Sequence, residues 1–162
     1  VNPQPEPRTH TVSNEAIQRL IFQSALTLDA EKYKAFLALC TEDFQYTAVT
    51  HSPDLGMDMT WLAHGRKGLQ DMFGMIPQHV RLKGKFKRHV SVYTIDHDEP
   101  AKTAAVSTSL MLIHTNLEGV SKLFAAAQYE DLVDTSGATP LLKKRLVRLD
   151  TRDLSPGIHV PV

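Results

Sequence analysis

The sequence predicts an α+β domain in which about three N-terminal helices cover a curved antiparallel sheet. Three observations predict it. Apolar residues recur at helical spacing between Ile17 and Ile76, long segments with period-two alternation follow one another from Leu82 onward, and polar turns of hairpin length separate those segments. With 162 residues the chain has one domain's length, and a domain of that size buries roughly 70% of its unfolded surface, enough for a core without metal or disulfide staples.

Taken in order, residues 1–12 contain Pro3, Pro5 and Pro7 and no apolar period, so they read as an extended arm ahead of a single domain at 13–162. Ser13 offers an N-cap and Glu15 a first-turn carboxylate to a helix whose face is Ile17, Leu20, Ile21, Ser24, Ala25 and Leu28. Asp29 and Ala30 interrupt it. Tyr33, Phe36, Leu37 and Cys40 continue the face in a shorter helix that runs up to Thr41. Phe44 to Thr50 is β-branched and aromatic, hence a strand. His51 to Asp58, with Pro53 and Gly56, reads as loop, and Trp61 falls in a long connection that reaches Gly65. Leu69, Met72, Phe73 and Ile76 form a third helix, ended by Pro77. Four strands follow, around Val90 to Tyr93, Val106 to Leu112, Leu123 to Val133 and Leu141 to Leu149. Their turns are at Asp96 to Pro100, Asn116 to Gly119 and Ser136 to Pro140. Helices on one side of so long a sheet imply a cone, and its interior is either a ligand cavity or packed core.

Composition excludes several classes. Lys and Arg number 18 and so do Asp and Glu, a balance that gives no field for non-specific binding to nucleic acid or an anionic membrane. The single cysteine, Cys40, cannot form an internal disulfide or a cysteine-rich metal site. No apolar run approaches the roughly 20 residues of a membrane span, and no apolar leader opens the sequence, so a cytoplasmic protein is expected.

Eight histidines, at 10, 51, 64, 79, 89, 97, 114 and 159, show no helical pairing or two-His-carboxylate run, so no metal site is expected. Arg81, Lys83, Lys85, Lys87 and Arg88 form a basic run with no acidic residue between Asp71 and Asp96. It reads first as a solvated sheet edge, next as a docking patch for an acidic surface, and last as a nucleic-acid contact, for which a single run without a stacking motif is a weak signal. Trp61 either plugs the helix–sheet layer or anchors another chain. A self-contained enzyme would need a carboxylate or histidine inside the cone, and Asp43, Tyr46, His51 and His89 are the candidates. Under that alternative the chain is a stand-alone isomerase, dehydratase or ligand-binding protein working by general acid/base chemistry.

Leu146-Val147-Arg148-Leu149-Asp150-Thr151-Arg152-Asp153-Leu154, followed by Pro156-Gly157-Ile158-His159-Val160-Pro161, resembles the last strand and tail of the small (beta) subunits of Rieske non-haem iron ring-hydroxylating oxygenases. Val106 to Met111 with Gln128-Tyr129-Glu130-Asp131, and Asp43-Phe44-x-Tyr46, resemble their preceding strands and N-terminal third. The likeness spans most of 13–162, with only the tail specific. Three departures stand out: Ala126-Ala127-Gln128 in place of a Gly-containing stretch, the dense basic run, and Met57-Asp58-Met59-Thr60-Trp61. They leave room for an outlying branch such as the methanesulfonate monooxygenase hydroxylases, which act on an alkanesulfonate.

The resemblance implies an NTF2-like (cystatin-like) fold and a non-catalytic chain without its own cofactor. It also implies a large (alpha) partner carrying the Rieske 2Fe-2S cluster and a mononuclear iron, in a hetero-hexamer of three large and three small chains whose small chains touch one another. Trp61, Arg148, Asp150, Arg152 and His159 are then the expected subunit-interface residues, with the three charged ones forming charge-assisted bonds that fix the tail.

Overall fold

The computed structural model describes residues 11–78, 81–155, 157 and 160–162. Its elements are α1 (Asn14–Asp29), α2 (Tyr33–Ala38), β1 (Cys40–Ser52), β2 (Met57–Gly65), α3 (Arg66–Met75), β3 (Lys85–Asp98), β4 (Thr103–Thr115), β5 (Ser121–Asp134) and β6 (Leu141–Leu149), with a 3-10 turn at Ile76–Gln78. The expected arm lies outside the described residues apart from Thr11 and Val12, and Val12 is already buried against the core.

The helices begin and end where local chemistry requires. Ser13 Oγ accepts from the Ala16 amide at 3.2 Å, which satisfies one of the orphan donors of α1. The C-terminus closes with Glu31 N–H donating to Leu28 O and Lys32 N–H donating to Thr27 O, the paired bonds of a Schellman cap. Glu31 takes the left-handed position usually given to glycine, at φ 54°. Its carboxylate is held from the other side by Arg81 at 2.7 Å. The Arg66 guanidinium at the start of α3 reaches the carbonyls of Leu37 and Cys40, the latter at 2.7 Å, and so ties α3 to the end of α2.

The strand order is β2-β1-β6-β5-β4-β3. Neighbours are antiparallel except β1 and β6, which run parallel because β1 precedes the meander in the chain and joins its last strand. Cross-strand partners share a face. The inner face therefore carries Tyr46, Arg145, Asp131 and Val106 in one region, and Ala48, Val147, Tyr129 and Thr108 beside it. Ile17, Leu20, Ile21 and Leu28 of α1, Phe36 of α2, and Leu69 and Phe73 of α3 pack onto that face. Phe36 meets Phe44 and Phe73 edge-on at 6.2 and 6.3 Å. Burial pushes the Cys40 thiol up to about 12, consistent with an inert core cysteine.

Two expectations are corrected. The stretch after Ser52 is not a long connection: Gly56, at φ 62°, closes a tight turn and the chain returns as β2 along β1. The period-two signal is missing there because β2 is an edge strand, exposed along Met57 to Trp61 with no buried side to mark it. Likewise α2 ends at Ala38 and β1 begins at Cys40, so Cys40 and Thr41 open the strand instead of ending the helix.

Candidate functional site

Within the apolar interior of the cone a set of polar side chains pairs with one another, leaving Arg145 Nη1, Arg88 Nε and Thr108 Oγ1 without a partner among the described residues. Arg145, on the inner face of β6, donates through Nε and Nη2 to the two carboxylate oxygens of Asp131 on β5, both at 2.8 Å, and through Nη2 to Ser24 Oγ of α1 at 3.1 Å. Neither member of the pair is exposed at its side chain. Its Cζ sits 3.9 Å from the centroid of the Tyr129 ring, so the guanidinium is both paired and stacked. Burial alone would disfavour the cation, but the facing Asp131 carboxylate reverses this and holds Arg145 protonated.

The tail closes the remaining space. Val162 N–H donates to Tyr46 Oη at 2.9 Å, and Tyr129 Oη donates to the main-chain oxygen of Val162 at 2.8 Å. Arg88, inward on β3, donates to the Pro161 oxygen at 2.6 Å and to the Asp29 carboxylate at 2.7 Å. Burial pushes the phenols of Tyr46 and Tyr129 well above their ordinary range. These hydroxyls are clamps for the tail, not acids poised near neutral pH.

The structure does not bring the four pocket candidates together. Only Tyr46 enters the cone. Asp43 is exposed and bonded to Lys143 at 2.6 Å, and that hydrogen bond holds its carboxyl below the usual range. His51 lies on the outer face against Asp58 at 3.1 Å. His89 is also on the outer face, four strands from β1, which at roughly 4.8 Å per strand is about 19 Å away. A groove of about 650 Å³ runs between the end of α1, the segment before β3 and the tail, lined by Leu28, Tyr33, Arg81, Lys85, Phe86 and Val160 among others. None of the four candidates lines it. Among the described residues no group of three or more His, Cys, Asp or Glu is placed to hold a metal ion, and no helix is long and apolar enough to cross a membrane.

Of the expected interface residues, Trp61, Arg148, Asp150 and Arg152 lie on the outside. Trp61 is 49% exposed on edge strand β2, where it is the extra residue of a bulge, and exposed Met57 and Met59 precede it on the same strand. It is therefore not a plug of the helix–sheet layer. Arg148 bridges Glu130 at 2.7 Å and Asp58 at 2.8 Å, so within this chain its charge-assisted bonds lock β6 to β5 and β2. Asp150 and Arg152 are exposed and make no side-chain hydrogen bond among the described residues. The tail is held there by Thr151, whose Oγ1 accepts from the Ala126 amide at 2.9 Å. His159 lies outside the described residues.

The structure adds Arg145, Asp131 and Arg88 as the residues that organise the interior. Their signal was present in the sequence: Arg145 is in phase with Val147 and Leu149, and Asp131 with Tyr129 and Val133, so both charges stand at inward positions.

This curved-sheet domain has a cone closed by residues 160–162 and carries exposed apolar residues on edge strand β2, on the outer sheet face and its hairpin, and on α1 at Phe22 and Leu26, surfaces of the kind that receive another chain. The comparisons agree. The chain is 32% identical over 156 residues to the methanesulfonate monooxygenase hydroxylase beta subunit of Methylosulfonomonas methylovora, covering 91% of this chain and 86% of that protein. It is 28% identical over 147 residues to the 2-aminobenzenesulfonate 2,3-dioxygenase beta subunit of an Alcaligenes species, covering 91% and 97%. Among solved structures, a chain of Novosphingobium aromaticivorans, described as an aromatic-ring-hydroxylating dioxygenase beta subunit, superposes with TM-score 0.79 at 20% identity, over 91% of this chain and 95% of that one, which establishes the fold. No protein-family model matches the chain. The chain belongs to the family of beta (small) subunits of multicomponent ring-hydroxylating and sulfonate oxygenases.

Proposed function

We propose that the chain is a non-catalytic small subunit that packs against and stabilises a large subunit carrying the Rieske 2Fe-2S cluster and the mononuclear iron. In this reading the particle is cytoplasmic, with three large and three small chains, and this chain forms one domain from residue 13. The observation that carries the reading is the filled cone: Tyr46, Tyr129, Arg145 and Val162 occupy the space an enzyme of this fold would give to substrate. Both curated relatives are named for sulfonate substrates, which supports an organosulfonate as the substrate of the holoenzyme.

Trp61, with Met57 and Met59, is the proposed anchor on β2. A half-exposed tryptophan on an edge strand is the type of residue that contributes most when an interface closes over it. Asp150, Arg152 and His159 are the proposed polar contacts to the partner, and Arg148 ties β6 to β5 and β2. Co-expression with the large subunit tests this. Wild-type chain is expected to co-purify in a fixed ratio and Trp61→Asp to weaken assembly at least about tenfold with an unchanged circular dichroism spectrum. Elution of the wild-type chain alone, beside a fully active large subunit, would overturn the reading.

A further inference from the structure

The basic run has two fates in the fold. Arg81 is spent on Glu31 and Arg88 on Asp29, whereas Lys83, Lys85 and Lys87 pair with no carboxylate among the described residues. Lys85 and Lys87 stand on the outer face of edge strand β3. Cross-strand register continues Lys87 into Ile113 and Leu123, and Lys85 into Thr115 and Ser121. Met111 lies in the next row, against Ala126, the residue whose backbone holds Asp150 and Thr151 of the tail. Leu117 and Val120 sit in the adjoining hairpin turn. The result is one continuous patch: an apolar centre of Met111, Leu117, Val120 and Leu123, all exposed and Leu123 61% so, with lysines along one side. From Met111 to Ala126 the one acidic residue is Glu118.

We infer that this corner of the outer face is a docking surface for an acidic, apolar-centred segment of a different polypeptide, the large subunit, an assignment that rests on the small-subunit reading above. Charge selects the occupant. A contact of this patch with the same patch of a second copy would set Lys85 and Lys87 against their own equivalents, which repel, and a head-to-tail contact between small chains is the competing occupant that self-association of the isolated chain reveals. A partner with carboxylates opposite the lysines and an apolar centre satisfies both halves of the patch. The surface is separate from Trp61, which lies on the opposite sheet edge, so one small chain has two distinct contact faces.

The test uses co-expressed complexes of the large subunit with wild-type chain, Leu123→Asp, Lys85→Glu/Lys87→Glu, and Lys34→Glu on exposed α2 as control. Each is diluted and read by mass photometry at low and high salt. Leu123→Asp is expected to raise the dissociation constant about thirtyfold, a hot-spot loss. The double reversal should raise it about tenfold at low salt with a smaller difference at high salt, and the control should change nothing. If wild type and both variants assemble equally, the surface assignment falls while the small-subunit reading stands. If wild type does not assemble, both fall. If the variants abolish only self-association of the isolated small chain, the occupant is a second copy and the proposal is wrong.

Discussion

Replacing Arg145 with methionine is expected to destabilise the chain by about 3–5 kcal/mol, because it leaves the Asp131 carboxylate buried without its cation. That is a large fraction of the roughly 5–15 kcal/mol that holds a typical domain together, and it corresponds to a fall in Tm of about 10 °C or more. The stacking of Arg145 on Tyr129 and its bond to Ser24 are lost in the same step. The double variant Arg145→Met/Asp131→Leu removes both charges and restores apolar volume, so it should recover most of the loss, to within about 1–2 kcal/mol of wild type. Urea unfolding of the four proteins in this cycle checks the point. A single variant with wild-type stability would mean that the pair does not organise the core.

Deleting residues 160–162 is the second large effect. It removes buried Val162 together with the partners of Tyr46 Oη, Tyr129 Oη and one arm of Arg88. Burial of a valine contributes roughly 1.5–3 kcal/mol and each polar group left unpaired costs roughly 1–3 kcal/mol, offset in part by water entering the opened cone. A net loss of about 3–5 kcal/mol is expected, along with binding of an apolar fluorophore that the intact chain excludes. Tyr129→Phe, which removes one bond and leaves the plug in place, should cost about 1–3 kcal/mol and admit no dye. Dye binding by the intact chain would contradict the closed cone.

Most of the fold is legible in the sequence because buried faces leave periodic marks. The α1 face is specified by its apolar spacing and the Ser13 cap, and β4 by the alternation of Val106, Thr108, Leu110 and Leu112, whereas β5 and β6 break the apolar alternation at Asp131 and Arg145. The elements that escape are those without a buried face. β2 is exposed over most of its length, so only the Gly56 turn announces it. The site is less legible. Asp43, His51 and His89 have the residue types of acid/base chemistry, but type says nothing about face, and the register turns His51 and His89 outward. Conversely, Arg145, Arg88 and Asp131 look like surface charges by composition. Only their phase with valine, leucine and tyrosine neighbours shows that they point inward, where Asp131 pairs with Arg145, Ser24 of α1 adds a bond to Arg145, and Asp29 and the Pro161 oxygen receive Arg88. The tail motif draws attention to Arg148, Asp150 and Arg152, whereas Thr151 makes the internal bond and the Val162 backbone makes the seal.

The central claim is that this chain contributes structure, not chemistry, to an oxygenase. Its most direct test is substrate-dependent O2 uptake, with the proposed organosulfonates as first substrates, by the assembled holoenzyme carrying Asp43→Asn/His51→Gln or Tyr46→Phe in the small subunit. The account predicts kcat unchanged within about twofold for both, with Tyr46→Phe losing only about 1 kcal/mol of small-subunit stability. A fall in kcat of about a hundredfold with assembly intact, the loss expected on removing a general acid or base, would contradict it.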